Sequence, residues 1–157
     1  MKVFQIGAAG GVGQRLMKRL AAAGDAPTGM HRAPEQAQKI VGFGGTPVSG
    51  DLIADSVDEL SAKMEGHGAI VFSAGAHGTG QDKTTLIDGK GLEKAADAAS
   101  RAGVRRFVLV SAFPESERSG GLGEGFEHYM RVKKSADVYL ANTALDWVIV
   151  PAWATHR

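Results

Sequence analysis

The sequence predicts an α/β fold: one domain, residues 1–157, built on a doubly wound parallel sheet of about six strands with helices on both faces. Three observations predict it. Short apolar runs alternate with stretches of good helix formers along the whole chain, as strand-helix-strand units require. The strongest runs, Gly68-Ala69-Ile70-Val71-Phe72 and Phe107-Val108-Leu109-Val110, are continuously apolar, as in parallel strands covered on both faces. Glycine contributes 22 of 157 residues, against a usual share of about 7%, and it gathers where the strands end.

The first strand is Val3–Ile6. It stops at Gly7, and Gly10 and Gly13 follow at three-residue intervals before a helix over Val12–Ala23. Strand, glycine turn and helix in that order suit an anion at a helix N-terminus, because glycines let the backbone approach it. A purely structural turn would have the same glycines. After a break at Gly24-Asp25-Ala26-Pro27, Thr28–Arg32 forms a second strand of poor propensity. An Asp or Glu at its tip would accept from a ribose 2′-hydroxyl in a dinucleotide-binding fold. Met30, His31 and Arg32 stand there instead. A guanidinium suits a 2′-phosphate, so Arg32, with His31 as helper, favours NADP(H) over NAD(H). The alternative is an Arg32 that merely solvates a loop.

A helix over Ala33–Val41, opened by Pro34, leads to a third strand, Thr46–Ser49. Asp51 and Leu52 follow it and can accept from an adenine amino group and cover its face. Asp51 suits a turn or cap equally well. Ser56 and Glu59 have capping-box spacing at the head of a helix over Ser56–Met64. The fourth strand, Gly68–Gly75, brings Ala74 and Gly75 to the carboxyl edge where ligands of such sheets bind, ahead of a loop at Ala76–Gly80. Gln81–Gly103 is a long helical stretch, with Asp82 a candidate cap and Gly89 and Gly91 weakening its middle. Arg105–Val110 is the fifth strand and delivers Ser111 to the same edge. Pro114–Gly125 is polar loop, and Phe126–Ala141 is a helix with Tyr129, Val132, Ala136 and Leu140 on one side. Asp146–Val150 is the sixth strand, ended by Pro151.

With 18 basic and 17 acidic residues the net charge is +1, and no basic block offers a nucleic-acid or anionic-lipid footprint. No cysteine is present, so thiolate and disulfide chemistry are excluded. No signal peptide and no run approaching the roughly 20 residues of a membrane span is visible. The expectation is a cytoplasmic protein acting on a small molecule. His31, His67, His77, His128 and His156 lack ligand spacing, so no metal site is expected.

Tyr129 and Lys133 stand one helical turn apart on one face. A lysine there can lower a tyrosine pKa and hydrogen-bond a ribose. Tyr129 is then a credible general acid, with Ser111 orienting a substrate carbonyl. The bland alternative is a surface pair on an amphipathic helix.

These residues carry a resemblance. The chain resembles the atypical short-chain dehydrogenase/reductase superfamily, in the branch of small NAD(P)H-binding proteins near the NmrA-like and biliverdin-reductase-B-like members. The segments GAAGGVG at 7–13, HRAPEQ at 31–36, GDL at 50–52 and VFSAGAHGTG at 71–80 carry it. DKTTLIDGKG at 82–91, AGVRRFVLVSA at 102–112, YMRVKKSADVYL at 129–140 and LDWVIV at 145–150 continue it in order. The resemblance implies a Rossmann-type fold. It also implies cofactor binding by Gly7, Ala9, Gly10, Gly11, Val12, Gly13, His31, Arg32, Asp51, Leu52, Ala74, Gly75 and Lys133. Ser111, Tyr129 and Lys133 would surround the nicotinamide end. Ala8-Ala9 replaces the usual Ala-Thr of the turn, which removes a bracing hydroxyl.

Members of that family usually continue for some fifty residues beyond the sixth strand, whereas this chain stops soon after Pro151 and Trp153. Two accounts stand open: a shortened product, or a missing layer supplied by another subunit, with self-association as a homo-oligomer. The leading functional expectation is an NADP(H)-dependent oxidoreductase moving a hydride to or from a small carbonyl or conjugated compound. A non-catalytic redox sensor of the NmrA-like kind and an epimerase/dehydratase-like protein are the alternatives.

Overall fold

The computed structural model describes residues 1–75, 80–112 and 123–152. Six strands form one parallel sheet: β1 (Lys2–Ile6), β2 (Ala26–His31), β3 (Thr46–Ser49), β4 (Ala69–Phe72), β5 (Arg106–Ala112) and β6 (Asp146–Ala152). Their spatial order is β3-β2-β1-β4-β5-β6. Helices α1 (Gly11–Ala22), α2 (Glu35–Gly42), α3 (Val57–Met64), α4 (Gln81–Thr84), α5 (Leu92–Arg101) and α6 (Glu124–Ala141) fill the connections, with a π-helical segment at Thr85–Gly91. The chain winds outward from β1 to β3, then crosses back to β4. That reversal leaves a crevice between the carboxyl ends of β1 and β4, the usual ligand position in such sheets. This is the doubly wound Rossmann-type fold.

Two apolar layers hold the sheet. On one side Phe4, Ile70, Phe72 and Phe107 pack with Leu60 and Met64 of α3, Leu92 and Ala95 of α5 and Leu140 of α6. Each fully buried Leu or Phe contributes about 1.5–3 kcal/mol by leaving water. A smaller layer, Ala8, Met17 and Ile40 with Phe43 against it, seats α1 and α2. It explains how β2 forms despite its weak propensity. A side chain at Gly29 would meet Met17 Cε at 2.8 Å and Ala8 Cβ at 2.9 Å, so the glycine is where the helices press onto the strand.

The strands depart from expectation at their prolines. β2 begins at Ala26, two residues early, and contains Pro27. β3 pairs with β2 only from Thr28 onward, so on that side Pro27 owes no hydrogen bond. β6 continues through Pro151 to Ala152, because it is a sheet edge and the missing donor costs no ladder bond. The helical stretch from Gln81 is not one α-helix. It shortens to a single α turn, passes through the π-helical segment holding Gly89 and Gly91, and resumes as α5. Gly80, not Asp82, occupies the N-cap position, and no side chain caps it. Ser56 does cap α3: its Oγ accepts from Glu59 N, and Glu59 Oε2 accepts from Ser56 N.

On α6 the buried face runs Met130, Lys133, Ala136, Leu140, so the expected Tyr129 and Val132 sit at its flank, half-buried. An inward-facing lysine defeats an apolar-pattern reading. The loop tip at 76–79, residues 114–122 of the expected polar loop, and the terminal residues 153–157 with Trp153 lie outside the described residues. Among the described residues no helix is long and apolar enough to cross a membrane.

Two neighbouring glycines of α1 should respond oppositely to alanine. A Cβ at Gly13 would lie 2.8 Å from Ala8 Cα and against the Gly7 carbonyl oxygen, whereas nothing lies within 4 Å of one at Gly11. Gly13→Ala should lower unfolding free energy by about 2 kcal/mol or more, and Gly11→Ala should raise it by about 0.5 kcal/mol. Urea denaturation of both variants checks the pair.

Candidate cofactor and proton-transfer site

The site starts from the turn after β1. Gly7 has φ +87°, and a Cβ there would meet Ala74 N at 2.6 Å, so only glycine lets this turn lie against the end of β4. Ser73 N and Oγ both donate to the Ile6 carbonyl, at 2.9 and 3.2 Å, which locks the two strand ends together. Gly10 N donates to Gly7 O at 3.2 Å, and Gly10 is the N-cap of α1. No side chain caps that helix, and its first turn holds no acidic residue. No residue of the cap or first turn therefore competes for its leading N–H groups and the positive end of its dipole. Beneath the turn, buried Gln5 donates from Nε2 to Gly13 O at 2.6 Å and ties α1 to β1.

A cleft of about 420 Å³ opens over this turn. Of the residues singled out in the sequence, Gly7, Ala9, Gly10, His31, Arg32, Asp51, Leu52, Ala74 and Gly75 line it. Gly11 and Val12 are exposed at the start of α1, and Gly13 is buried under it. Arg32 is exposed at the end of β2, with no carboxylate paired to it among the described residues. Beside it Gln36 Oε1 accepts from Arg32 N at 3.3 Å and Ala33 N at 3.2 Å, and His31 Nδ1 lies 3.1 Å from the Ala33 carbonyl.

Asp51 turns the chain: its Oδ1 accepts from Ile53 N at 2.8 Å and Ala54 N at 3.2 Å while the residue lines the cleft. Asp51 is thus a turn residue that also lines the cleft. Lys94, which sequence reasoning missed, clamps this wall. Its Nζ donates to the carbonyls of Leu52, Ile53 and Asp55 at 2.8, 3.1 and 2.7 Å. Asp55 closes the loop by accepting from Asp51 N at 3.1 Å and Lys63 Nζ at 2.5 Å. Nothing in local sequence announces a contact that spans some forty residues.

The remaining residues form a second cluster. Lys133 is buried, 4% exposed, and its Nζ lies 3.1 Å from Asp88 Oδ1, itself 1% exposed. The same Nζ lies 5.8 Å from the centre of the Tyr129 ring. Ser111 is also buried, and its Oγ donates to Asp137 Oδ1 at 2.7 Å. Ser111, Tyr129 and Lys133 are absent from the cleft lining itself. Gly75 joins the two halves, because a Cβ on it would stand 3.2 Å from Asp88 Oδ1.

The expected lowering of the Tyr129 pKa is corrected. Burial pushes it up, and the Asp88 carboxylate pushes it further. With Lys133 drawn to Asp88, the ammonium does not act on the phenol alone. Burial likewise raises Asp137, against the Ser111 hydrogen bond and the Lys133 charge that pull it down. Asp88 and Asp137 were both within quoted segments, but a carboxylate i+4 from Lys133 or inside a glycine-rich helix carries no distinctive pattern.

Among the described residues no group of three or more His, Cys, Asp or Glu could hold a metal ion. The NAD(P)H-binding family model matches residues 7–156. A Bacillus subtilis (strain 168) protein, "Uncharacterized sugar epimerase YhfK", is 38% identical over 152 residues, which cover 96% of this chain and 70% of that one. A solved structure from Bacillus halodurans, provisionally named an NAD-dependent epimerase/dehydratase, superposes with a TM-score of 0.87 at 33% identity, covering 98% of this chain and 70% of that one. The oxidoreductase ylbE from Lactococcus lactis superposes with a TM-score of 0.81 at 29% identity, covering 96% and 68%.

The clamp has a pH signature. Burial alone would raise Asp55, but its bonds to Lys63 and Asp51 N, and the Lys63 and Lys94 charges, bring its pKa below 3.8. A depressed carboxylate contributes stability that is present above its unfolded value and lost as pH falls through the folded one. Asp55→Asn should therefore flatten the acid limb of the stability curve below about pH 4. Urea midpoints measured from neutral pH downward check this.

Proposed function

This chain belongs to the NAD(P)H-binding family, and from that premise we propose that it is an NADP(H)-dependent oxidoreductase acting on a small carbonyl or conjugated compound. The observation that carries this reading is the cleft, which runs from the uncapped start of α1 to an exposed arginine at the tip of β2. Its donors suit a dinucleotide. The turn at Gly7 and Gly10, with the first N–H groups of α1 at Gly11, Val12 and Gly13, would hold the pyrophosphate. Arg32 and His31 would take the 2′-phosphate, Asp51 and Leu52 the adenine, and Ala74 and Gly75 the adjoining ribose. When bound, the dinucleotide supplies the hydride.

The chain's own part is the proton. Tyr129 donates from its phenol to the substrate oxygen as the alcohol forms, and solvent restores the proton afterwards. A pKa held up by burial and Asp88 keeps that proton in place at neutral pH, which supports donation over abstraction. Ser111 donates a hydrogen bond to Asp137 and so ties the end of β5 to α6.

The names of the B. subtilis and B. halodurans relatives favour a second reading, a sugar epimerase or dehydratase. That chemistry needs Tyr129 to act as a base and needs the reduced and oxidised dinucleotide to stay bound through turnover.

Calorimetric titration with NADPH and NADH decides the cofactor. Wild type should prefer NADPH, and Arg32→Ala should weaken NADPH by about tenfold or more while leaving NADH nearly unchanged. Binding of neither nucleotide would remove the oxidoreductase reading. NADPH binding without oxidation by any carbonyl compound in a screen would leave a sensor.

A further inference from the structure

Lys133 and Tyr129 are both on α6, yet the group that sets their electrostatics comes from elsewhere. Asp88 is carried by the π-helical segment, a helical form that is rare and concentrated at functional positions. The segment places a carboxylate in the interior at 1% exposure, 3.1 Å from an ammonium that is itself 4% exposed. On its other side the carboxylate abuts Gly75, which lines the cleft. Burying an ion pair rarely adds to stability over well-packed apolar groups, so the pair has no stability rationale of its own.

We propose that Asp88 is a positioning residue that binds Lys133, balances its charge beside Tyr129, and thereby keeps the phenol a proton donor, not a base. The inference rests on the oxidoreductase reading for its purpose, though not for its test. Lysine alone, one turn from a tyrosine and 5.8 Å from its ring, would favour tyrosinate. Asp88 supplies the opposing charge from the π-helical segment. Lys133 faces the phenol from α6, itself within reach of the Asp137 charge. His128, one residue before Tyr129, is turned to Thr85 Oγ1 at 2.9 Å and Gln81 O at 3.2 Å. Gly75 contributes by being small: any side chain there would press on the carboxylate at 3.2 Å.

The chain has two tyrosines, which makes the proposal measurable without substrate or nucleotide. In a Tyr139→Phe background, ultraviolet titration of tyrosinate reports Tyr129 alone, with circular dichroism confirming the fold at each pH. Adding Asp88→Asn should lower the midpoint by about one pH unit, because Lys133 then acts unopposed. Adding Asp88→Asn and Lys133→Gln together should place it between that variant and the background protein. An unchanged midpoint in folded Asp88→Asn protein overturns the proposal. If that variant does not fold, Lys133→Gln decides: Asp88 then acts unopposed and should raise the midpoint, and an unchanged or lowered midpoint there overturns the proposal equally. Loss of fold in both would make Asp88 a packing residue and would also overturn it. NADPH affinity, measured on the background protein, reports separately on the oxidoreductase reading: failure to bind NADPH would leave the Asp88–Tyr129 coupling intact.

Discussion

At the carboxyl end of the sheet three pieces of backbone approach until no side-chain carbon fits between them. The turn at Gly7 lies against Ser73 and Ala74 at the end of β4, and Gly13 presses the first turn of α1 onto the Gly7 carbonyl. Much else is arranged around that contact. Ser73 bonds across it, Gln5 braces it from below, and Ala8, directly after Gly7, joins Met17 and Ile40 in the layer that seats α1 and α2. Because Gly10 caps α1 without a side chain, the same compaction that closes the fold leaves a set of outward N–H groups at the mouth of a cleft. The packing of the turn and the uncapped start of α1 thus arise from one constraint.

The fold was legible because its signals are local. Continuous apolar runs marked β4 and β5, the glycine spacing marked the turn, and the Ser56–Glu59 pair marked α3. Errors fell where neighbours decide. Pro27 sits in β2 ahead of its ladder with β3, and Pro151 sits in the edge strand β6, positions where a proline is tolerated. The expected long helix after Gly80 hides a π-helical segment, since hydrogen-bond register leaves little trace in composition. In the cleft, residues at strand ends were readable from topology. Lys94 was not, because its three acceptors lie on a loop some forty residues away.

The Tyr129–Lys133 cluster shows the same division. Tyr129 and Lys133 were visible as a spaced pair, but their spacing alone pointed to the wrong direction of pKa shift. The direction is set first by burial and then by Asp88, a residue contributed by another element and invisible to any rule about one helix face. The cleft and the cluster are therefore two systems of different character. One is built from backbone and tolerates exposure; the other is built from buried charges that must balance. Gly75 is their shared boundary.

The π-helical segment also bears on how the chain can change length. Residues along an α-helix advance by about 100° each, and a π turn accommodates a residue more than an α turn does. Removing one residue from Thr85–Gly91 would let α4 and α5 merge in regular register. Because the wider turn already absorbs the extra residue, the flanking helices would keep nearly the same faces and the rearrangement would fall on the segment itself. Asp88 and Leu92 now face the interior four residues apart, and a loss between them would change that spacing and the placement of the carboxylate. A one-residue gap here would shift the carboxylate relative to the lysine it pairs with. Across related chains, length in this segment and an acid at the position of Asp88 are thus expected to be kept or lost together.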